Sequence, residues 1–357
     1  MTVRPGVSIS VIIPVFNGTT TSRDCLQALA NSSVPATECL VVDDGSTDSS
    51  AAIAQIMGAT VFSTGGRFGP ARARNLGARR ATGDVLLFID ADVAIHADAL
   101  GRIRDSFQSD PELDALIGSY DDAPSGSSLV SQFKNLLHAF VHHEGNHQAS
   151  TFWCGCGAIR RSVYLEHGGL DETYRSASIE DIELGVRLKL AGRKLALDPA
   201  IQCKHLKIWT LWSMVRTDVV ERGIPWTKLI LRTRVFPNDL NLRWDQRCSA
   251  VLSGVFVVLA AAGISGVFVP NPSSTPCLGG AVAVFIAIGV LNRKFYSFLT
   301  RRKGWFFAAR AIWLHLLYFL YSAFSVVIGT ILFAIAPTRE TASAACAPIP
   351  VSEEEGR

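Results

Sequence analysis

The sequence predicts an α/β protein: a Rossmann-like domain built on a mostly parallel sheet, followed by helices that cross a membrane. Three observations carry this. Apolar, β-branched runs alternate with segments of helical spacing up to about Gln246, the order of a three-layer α/β sheet. Several of the runs stop at loops rich in Asp and Gly, as strands do at the ligand-binding edge of such a sheet. Beyond Gln246, three long stretches are almost free of charge.

Residues 8–14 read as a buried strand that ends in Pro14-Val15-Phe16-Asn17-Gly18. Residues 21–31 have helical spacing, with Leu26 and Leu29 on one face. A second strand, 39–42, runs into Asp43-Asp44-Gly45-Ser46, and the Ser/Thr/Asp cluster after it caps a helix at 49–57. Residues 71–81 form the next helix and 85–89 the next strand, with Asp90-Ala91-Asp92 at its carboxyl end. Then come a strand at 113–117, an amphipathic helix at 129–142, a segment 151–164 leading through Gly168-Gly169 to a polar loop, and a helix at 179–191.

The uncharged stretches 249–269, 277–291 and 311–336 are the expected spans. Arg243 and Arg247 precede the first, and Arg293, Lys294, Arg301, Arg302 and Lys303 follow the second. Basic residues favour the cytoplasmic face, so the first domain and the loop after the second span are expected there, in a plasma or inner membrane. The N-terminal residues alternate and are too short to make a signal-peptide core. Residues 293–310 mix basic and aromatic side chains, as a segment lying along anionic headgroups does. The expected organisation is a catalytic domain 1–230, an interfacial linker 231–248, a membrane domain 249–336 and a disordered tail 337–357.

Composition narrows the partners. A net charge of +3 is too small for a nucleic-acid binder. The eight cysteines are scattered singly apart from Cys154 and Cys156, which excludes paired CxxC zinc sites and suits a reduced compartment.

Asp90 and Asp92, one residue apart at the end of a buried strand, can hold a hard divalent cation against a diphosphate. An acidic loop that caps the next helix has the same letters. Asp43 and Asp44 can accept hydrogen bonds from a nucleobase, or simply make a solvated Asp-Gly turn. Arg72, Arg74 and Asn75 lie on the helix before the acidic strand, where a guanidinium can reach a phosphate or a base. Glu180 and Asp181 open a helix, a place where acids gather because of the macrodipole and where a carboxylate can deprotonate a hydroxyl. His205 follows an apolar strand and can ligate a cation through a ring nitrogen. His138, His142, His143 and His147 have helical spacing that can bind metal, but no surrounding pattern of oriented partners supports a separate metal site.

Together these segments resemble glycosyltransferase family 2, the inverting family with the GT-A fold. The resemblance runs over about 8–226 and rests on Ser-Val-Ile-Ile-Pro-Val-Phe-Asn-Gly, Val-Val-Asp-Asp-Gly-Ser-Thr-Asp, Ala-Arg-Asn-Leu-Gly, Gly-Asp-Val-Leu-Leu-Phe-Ile-Asp-Ala-Asp and Ile-Glu-Asp-Ile-Glu-Leu, in that order. It implies that Pro14, Asn17, Asp43 and Asp44 hold the nucleoside and that Arg74 and Asp90 serve the donor. It also implies that Asp92 and His205 bind Mn2+ or Mg2+, and that Asp181 is the catalytic base. Gly155 matches the glycine-containing segment that lines sugar and acceptor. Phe16-Asn17-Gly18 departs from the frequent Tyr-Asn-Glu and lacks a carboxylate near the nucleoside. In place of the Gln-x-x-Arg-Trp of processive synthases stands Arg222-Gly223-Ile224-Pro225-Trp226. With Gly155 and Glu180, Arg222 and Trp226 are the acceptor-side candidates.

The resemblance implies a transferase that moves one sugar from a UDP- or GDP-linked donor with inversion. The amphipathic, aromatic stretches 129–142 and 209–226 can rest on a bilayer, so the expected acceptor is a lipid or a lipid-linked glycan at the cytoplasmic membrane face. Two other readings stand beside it: a processive polysaccharide synthase, and a catalytically silent membrane scaffold. Short motifs do not encode the sugar, and nothing in the sequence sets an oligomeric state.

Overall fold

The computed structural model describes residues 6–268 and 272–335; the tail expected to be disordered, 337–357, lies outside them. In chain order the elements are β1 (Ile9–Val15), α1 (Thr19–Ala30), β2 (Glu38–Asp43), α2 (Ser50–Ile56), β3 (Thr60–Ser63), α3 (Pro70–Arg80), β4 (Val85–Ile89), β5 (Val93–Ile95), α4 (Ala99–Ser109), β6 (Ala115–Tyr120), α5 (Leu129–His143), β7 (Cys156–Arg160), α6 (Arg161–Glu166), α7 (Glu180–Leu190) and β8 (Leu195–His205). There follow α8 (Leu211–Arg216), a π-helix (Thr217–Gly223), α9 (Ile224–Thr233), a short 3-10 turn (Leu240–Leu242), α10 (Trp244–Phe268), α11 (Ser274–Leu291), α12 (Arg293–Lys303) and α13 (Trp305–Ile335). By packing, the described residues divide into two units, 6–126 with 142–208, and 127–141 with 209–335.

The first unit is an eight-stranded mixed sheet in the order β3-β2-β1-β4-β7-β6-β8-β5. Strand pairs β1–β2, β1–β4, β2–β3 and β6–β8 are parallel. Pairs β4–β7, β6–β7 and β5–β8 are antiparallel, so parallel pairing dominates, as the sequence predicts. Strands β1 and β4 are buried almost throughout, which is why they read as unbroken apolar runs rather than alternating ones. Register fixes the site: Val15 lies opposite Asp43 and Ile12 opposite Phe88. The chain segments that follow β1, β2 and β4 therefore emerge at one sheet edge, carrying Asn17, Asp44 and Asp90-Ala91-Asp92.

Helix α7 reaches this region because Gly185 lets it lie against the 151–152 backbone: a Cβ there would stand 2.1 Å from the Phe152 nitrogen and 2.6 Å from the Thr151 carbonyl carbon. Backbone cannot yield as a side chain can. Gly185→Ala is expected to destabilise the protein by about 1–3 kcal/mol through overpacking, read as a lowered Tm in a detergent thermal-unfolding assay.

Strands β3 and β5 and helix α4 are among the elements that lie outside the sequence reading. Strands β3 and β5 are four and three residues long, too short for a periodic signal. Helix α4 does carry a legible one, with Leu100, Ile103 and Phe107 buried on one face.

In the second unit, α10, α11 and α13 are long and apolar enough to cross a membrane, over Trp244–Ser265, Ser274–Leu291 and Trp305–Ile335. At 1.5 Å per residue, 22, 18 and 31 residues extend about 33, 27 and 46 Å, against a hydrocarbon core of about 30 Å. The last begins six residues earlier than the sequence expectation of 311, because Trp305 and Phe306 continue the helix despite Arg310. Residues 293–303 form α12, which buries Phe295 and Leu299 and exposes Arg301, Arg302 and Lys303 before Gly304 turns the chain at φ +83°. Residues 209–230 pack in this unit. Trp209 is buried there, its backbone N–H donating to Ser131 Oγ at 3.1 Å and its indole N–H to Asn135 Oδ1 at 3.2 Å.

Candidate functional site

The loops at the carboxyl edge of β1 and β2 are tied to each other. Asn17 sits in the left-handed region at φ 49°, where asparagine is tolerated. Its N–H donates to Ser46 Oγ at 3.0 Å, and its Oδ1 accepts from Thr47 N at 2.8 Å. Asp43 Oδ1 accepts from Ser46 N at 3.1 Å. Pro14 is a half-buried member of β1 opposite Val42.

Asp44, which the resemblance assigns to the nucleoside, is held from within the fold. Its carboxylate is buried and accepts from Thr64 Oγ1 at 3.0 Å, Phe68 N at 3.0 Å and Gly69 N at 2.7 Å. These internal donors fix the 64–69 loop to the end of β2. That loop brings Arg67 over the exposed Phe16 ring, 4.1 Å from its centre, and Arg72 lies over Phe68 at 3.9 Å.

Arg74 joins the acidic strand end to the helix that carries the Glu-Asp pair. Its Nη2 donates to Asp90 Oδ1 at 2.6 Å and its Nη1 to Glu180 Oε1 at 2.9 Å. Arg74 and Glu180 side chains are 5% and 4% exposed, whereas Asp90 is 34% exposed and reaches solvent. Burial alone would disfavour the charged guanidinium, but the carboxylates of Asp90, Glu180 and Asp181 around it hold it firmly protonated. Glu180 also accepts from Ser178 N at 2.8 Å. It is thus engaged on both oxygens, and in this arrangement it positions Arg74 and the start of α7.

Asp181, next to it, is half-buried in the first turn of α7. Its Oδ2 accepts from Cys154 N at 3.1 Å and its Oδ1 from Ile182 N at 2.8 Å. Both donors set the orientation of the carboxylate. Gly155, the residue after Cys154, leads into β7 beneath the Trp153 ring; a Cβ on it would lie 2.4 Å from that ring.

Asp92 meets His205 because β5 and β8 pair antiparallel, with Val93 opposite His205. The Leu206 N–H donates to the Asp92 carbonyl at 2.8 Å, and His205 Nε2 stands 3.7 Å from Asp92 Oδ2. The imidazole is 7% exposed and stacks on Tyr120, ring centres 4.4 Å apart and planes 14° apart; Trp153 meets Tyr120 edge-on at 4.7 Å. Burial pushes the Asp92 carboxyl up, but His205 and then Lys207 outweigh it and hold Asp92 below the usual carboxylate range. An ionised carboxylate and a fixed imidazole side by side suit a divalent cation. Among the described residues no third His, Cys, Asp or Glu joins them in a ligand group. That set fits Mn2+ or Mg2+, which binds to one or two protein side chains when diphosphate oxygens and waters complete its sphere.

The other histidines do not gather. His142 lies among Tyr120 and Trp153, His143 Nε2 is 3.5 Å from Gln202 Nε2, and His147 Nδ1 is 3.3 Å from the Leu197 carbonyl. Arg222 and Trp226 belong to the second unit, on the π-helix and α9. Sequence reasoning missed Tyr120, Trp153 and the Cys154 N–H. The run Trp153-Cys154-Gly155-Cys156-Gly157, with small residues beside a large ring, was the available signal.

Residues 10–168 match glycosyl transferase family 2. The 4,4'-diaponeurosporenoate glycosyltransferase of Staphylococcus haemolyticus is 39% identical over 107 residues, 28% of this chain and 28% of that protein. The pre-mycofactocin glycosyltransferase of Mycobacterium tuberculosis is 28% identical over 208 residues, 55% of this chain and 42% of that protein. The chain therefore spans less than half the length of either relative. Among solved structures, the mannosyltransferase PcManGT from Pyrobaculum calidifontis, in complex with GDP-Man and Mn2+, aligns with a TM-score of 0.55 at 16% identity, over 90% of this chain and 88% of that one. This likeness is one of fold, and the fold is GT-A. The sheet, its register and the matched segment agree: the fold is that of the GT-A glycosyltransferases, and residues 10–168 are similar to glycosyl transferase family 2.

Proposed function

We propose that the protein transfers one sugar, with inversion, from a UDP- or GDP-linked donor to a lipid or lipid-linked acceptor at the cytoplasmic face of a membrane. The observation that carries this is the joining of two charge centres, Asp92 beside His205 and Asp181 beside Glu180, through a sheet edge that Arg74 ties together. The first suits the leaving group and the second suits the attacking hydroxyl.

Asp92 and His205 would hold the divalent cation. When bound, the cation supplies positive charge to the leaving nucleoside diphosphate. Asp43, Asn17 and the Phe16–Arg67 stack stand at the nucleoside end of the sheet edge. Arg74 balances Asp90 and Glu180, so that the carboxylates at the site do not repel one another or the donor. Asp181 takes the proton from the acceptor hydroxyl. The hydroxyl oxygen bonds to the anomeric carbon from the face opposite the diphosphate as the sugar-phosphate bond breaks, which inverts that carbon. The apolar helices and the basic residues at 243–247 and 293–303 support a membrane acceptor and a cytoplasmic site.

The test is sugar transfer by the full chain, purified in detergent, from labelled UDP- and GDP-sugars into bacterial lipid extract with Mn2+ or Mg2+. One donor consumed, with a single sugar on a lipid product, is the expected result; a polymer would favour a processive synthase, and no donor bound or consumed would favour a silent scaffold. Asp92→Asn is expected to lower transfer by about 10²-fold or more, and excess EDTA to abolish it reversibly.

A further inference from the structure

The second unit contains a cavity of about 130 Å³ between α5, the π-helix, α9 and α13. Its polar wall carries Lys134, His138, Asp218 and Arg222, and its other wall is apolar, with Trp226, Ile230 and Val326.

The charges on the polar wall do not cancel. Lys134 Nζ donates to both oxygens of Asp218 at 2.7 Å, and the Tyr321 hydroxyl donates to Asp218 Oδ2 at 2.6 Å. Lys134 and Asp218 are 2% and 8% exposed, a closed pair whose carboxylate is fully used. Arg222 is then the excess cation. Its Nη1 lies 3.4 Å from His138 Nε2, and among the described residues no carboxylate stands within ion-pair distance of it. A guanidinium half-buried beside an apolar membrane helix needs an anion, because leaving it unpaired in low dielectric is costly.

The wall that carries Arg222 is also held in an unusual way. Residues 217–223 are π-helical, a rare conformation that is frequent at functional sites. Gly223 and Gly329 let it and α9 approach α13 closely: a Cβ at Gly223 would lie 2.5 Å from Ser325 Cβ, and one at Gly329 would lie 2.7 Å from Thr227 Cβ. This small-residue contact fixes the cavity wall against a membrane helix.

We infer that this cavity binds the phosphate of a membrane lipid, with Arg222 as its counter-charge and the acyl or isoprenyl chain along the Trp226, Ile230 and Val326 side. The inference is independent of the catalytic reading, since a silent scaffold would bind the same lipid. Charge selects phosphate, and the apolar wall selects a lipid over the free ion.

The experiment is a lipid titration of the full chain in neutral detergent, read by native mass spectrometry and by Tm. The probes are short-chain phosphatidic acid, a short isoprenyl monophosphate, phosphatidylcholine and inorganic phosphate. Retention of either phosphomonoester lipid with a raised Tm, against little effect of phosphatidylcholine or inorganic phosphate, is expected. Equal retention of phosphatidylcholine, or a full effect from inorganic phosphate alone, overturns the proposal. Arg222→Gln is expected to weaken phospholipid binding by about tenfold or more, as loss of a charge-assisted hydrogen bond does, and Arg222→Lys to recover part of it. Asn241→Asp, a near-isosteric change at the cavity wall, tests the same point if Arg222→Gln fails to fold: it adds a carboxylate and is expected to weaken binding likewise. Unchanged binding in a folded variant of either kind overturns the assignment.

Discussion

Asp181→Asn is expected to lower the rate of sugar transfer by about 10³-fold, within the range for loss of a general base, while donor affinity changes by no more than a few fold. The amide has the size of the carboxylate, and its oxygen can still accept from the Cys154 N–H, so the start of α7 should keep its place. What it loses is the ability to take a proton. Donor binding, measured by calorimetry with the nucleoside diphosphate and Mn2+, separates this from damage to the donor site. A fall in both kcat and donor affinity would mean that Asp181 serves the donor rather than the acceptor. Full activity in the variant would remove it from the reaction.

Glu180→Gln is the informative neighbour. It keeps an oxygen for Arg74 or for Ser178 N but loses the negative charge between them, so its defect should appear in stability before it appears in the proton-transfer step. The two adjacent acids look alike in sequence, and only their partners separate them. Both open the same helix, but one points at a buried guanidinium and the other accepts a loop N–H.

That contrast marks how far the sequence could be read. The buried strands β1, β2 and β4 were legible because parallel strands covered on both faces are unbroken apolar runs, and the acidic loops at their ends followed from the α/β rule. The three helices long and apolar enough to cross a membrane were legible for the same reason of length and uniform composition. What pairs with what was not. Asp43 and Asp44 are adjacent, yet Asp43 accepts one hydrogen bond from its own loop whereas Asp44 is consumed by Thr64, Phe68 and Gly69, twenty or more residues away. The neighbourhood of Asp92 and His205 depends on the short strand β5, whose three residues leave no periodic trace. Arg72 and Arg74 were equal candidates by position. Helical rotation turns Arg74 inward to two carboxylates and leaves Arg72 stacked on Phe68.

Arg74→Met is expected to cost about 3–5 kcal/mol, the range for removing one partner of a buried ion pair, and so to be among the most destabilising single changes in the first unit. Methionine replaces the stem but leaves Glu180 without a counter-charge at 4% exposure, while Asp90, at 34%, can recover water. The asymmetry makes the result specific. Arg74→Met with Glu180→Gln should regain most of the loss, because the double change leaves no buried charge unpaired, whereas Arg74→Met with Asp90→Asn should regain little. Arg74→Lys should also fall short, since one ammonium on a flexible stem cannot reach in two directions as the forked guanidinium does. Tm of the four variants in one detergent, with an added nucleoside diphosphate arm to report on the donor edge, checks the ordering. Recovery by Asp90→Asn rather than Glu180→Gln would mean that the outer carboxylate, not the buried one, is the partner that Arg74 exists to neutralise, and that its place is in donor binding before it is in the fold.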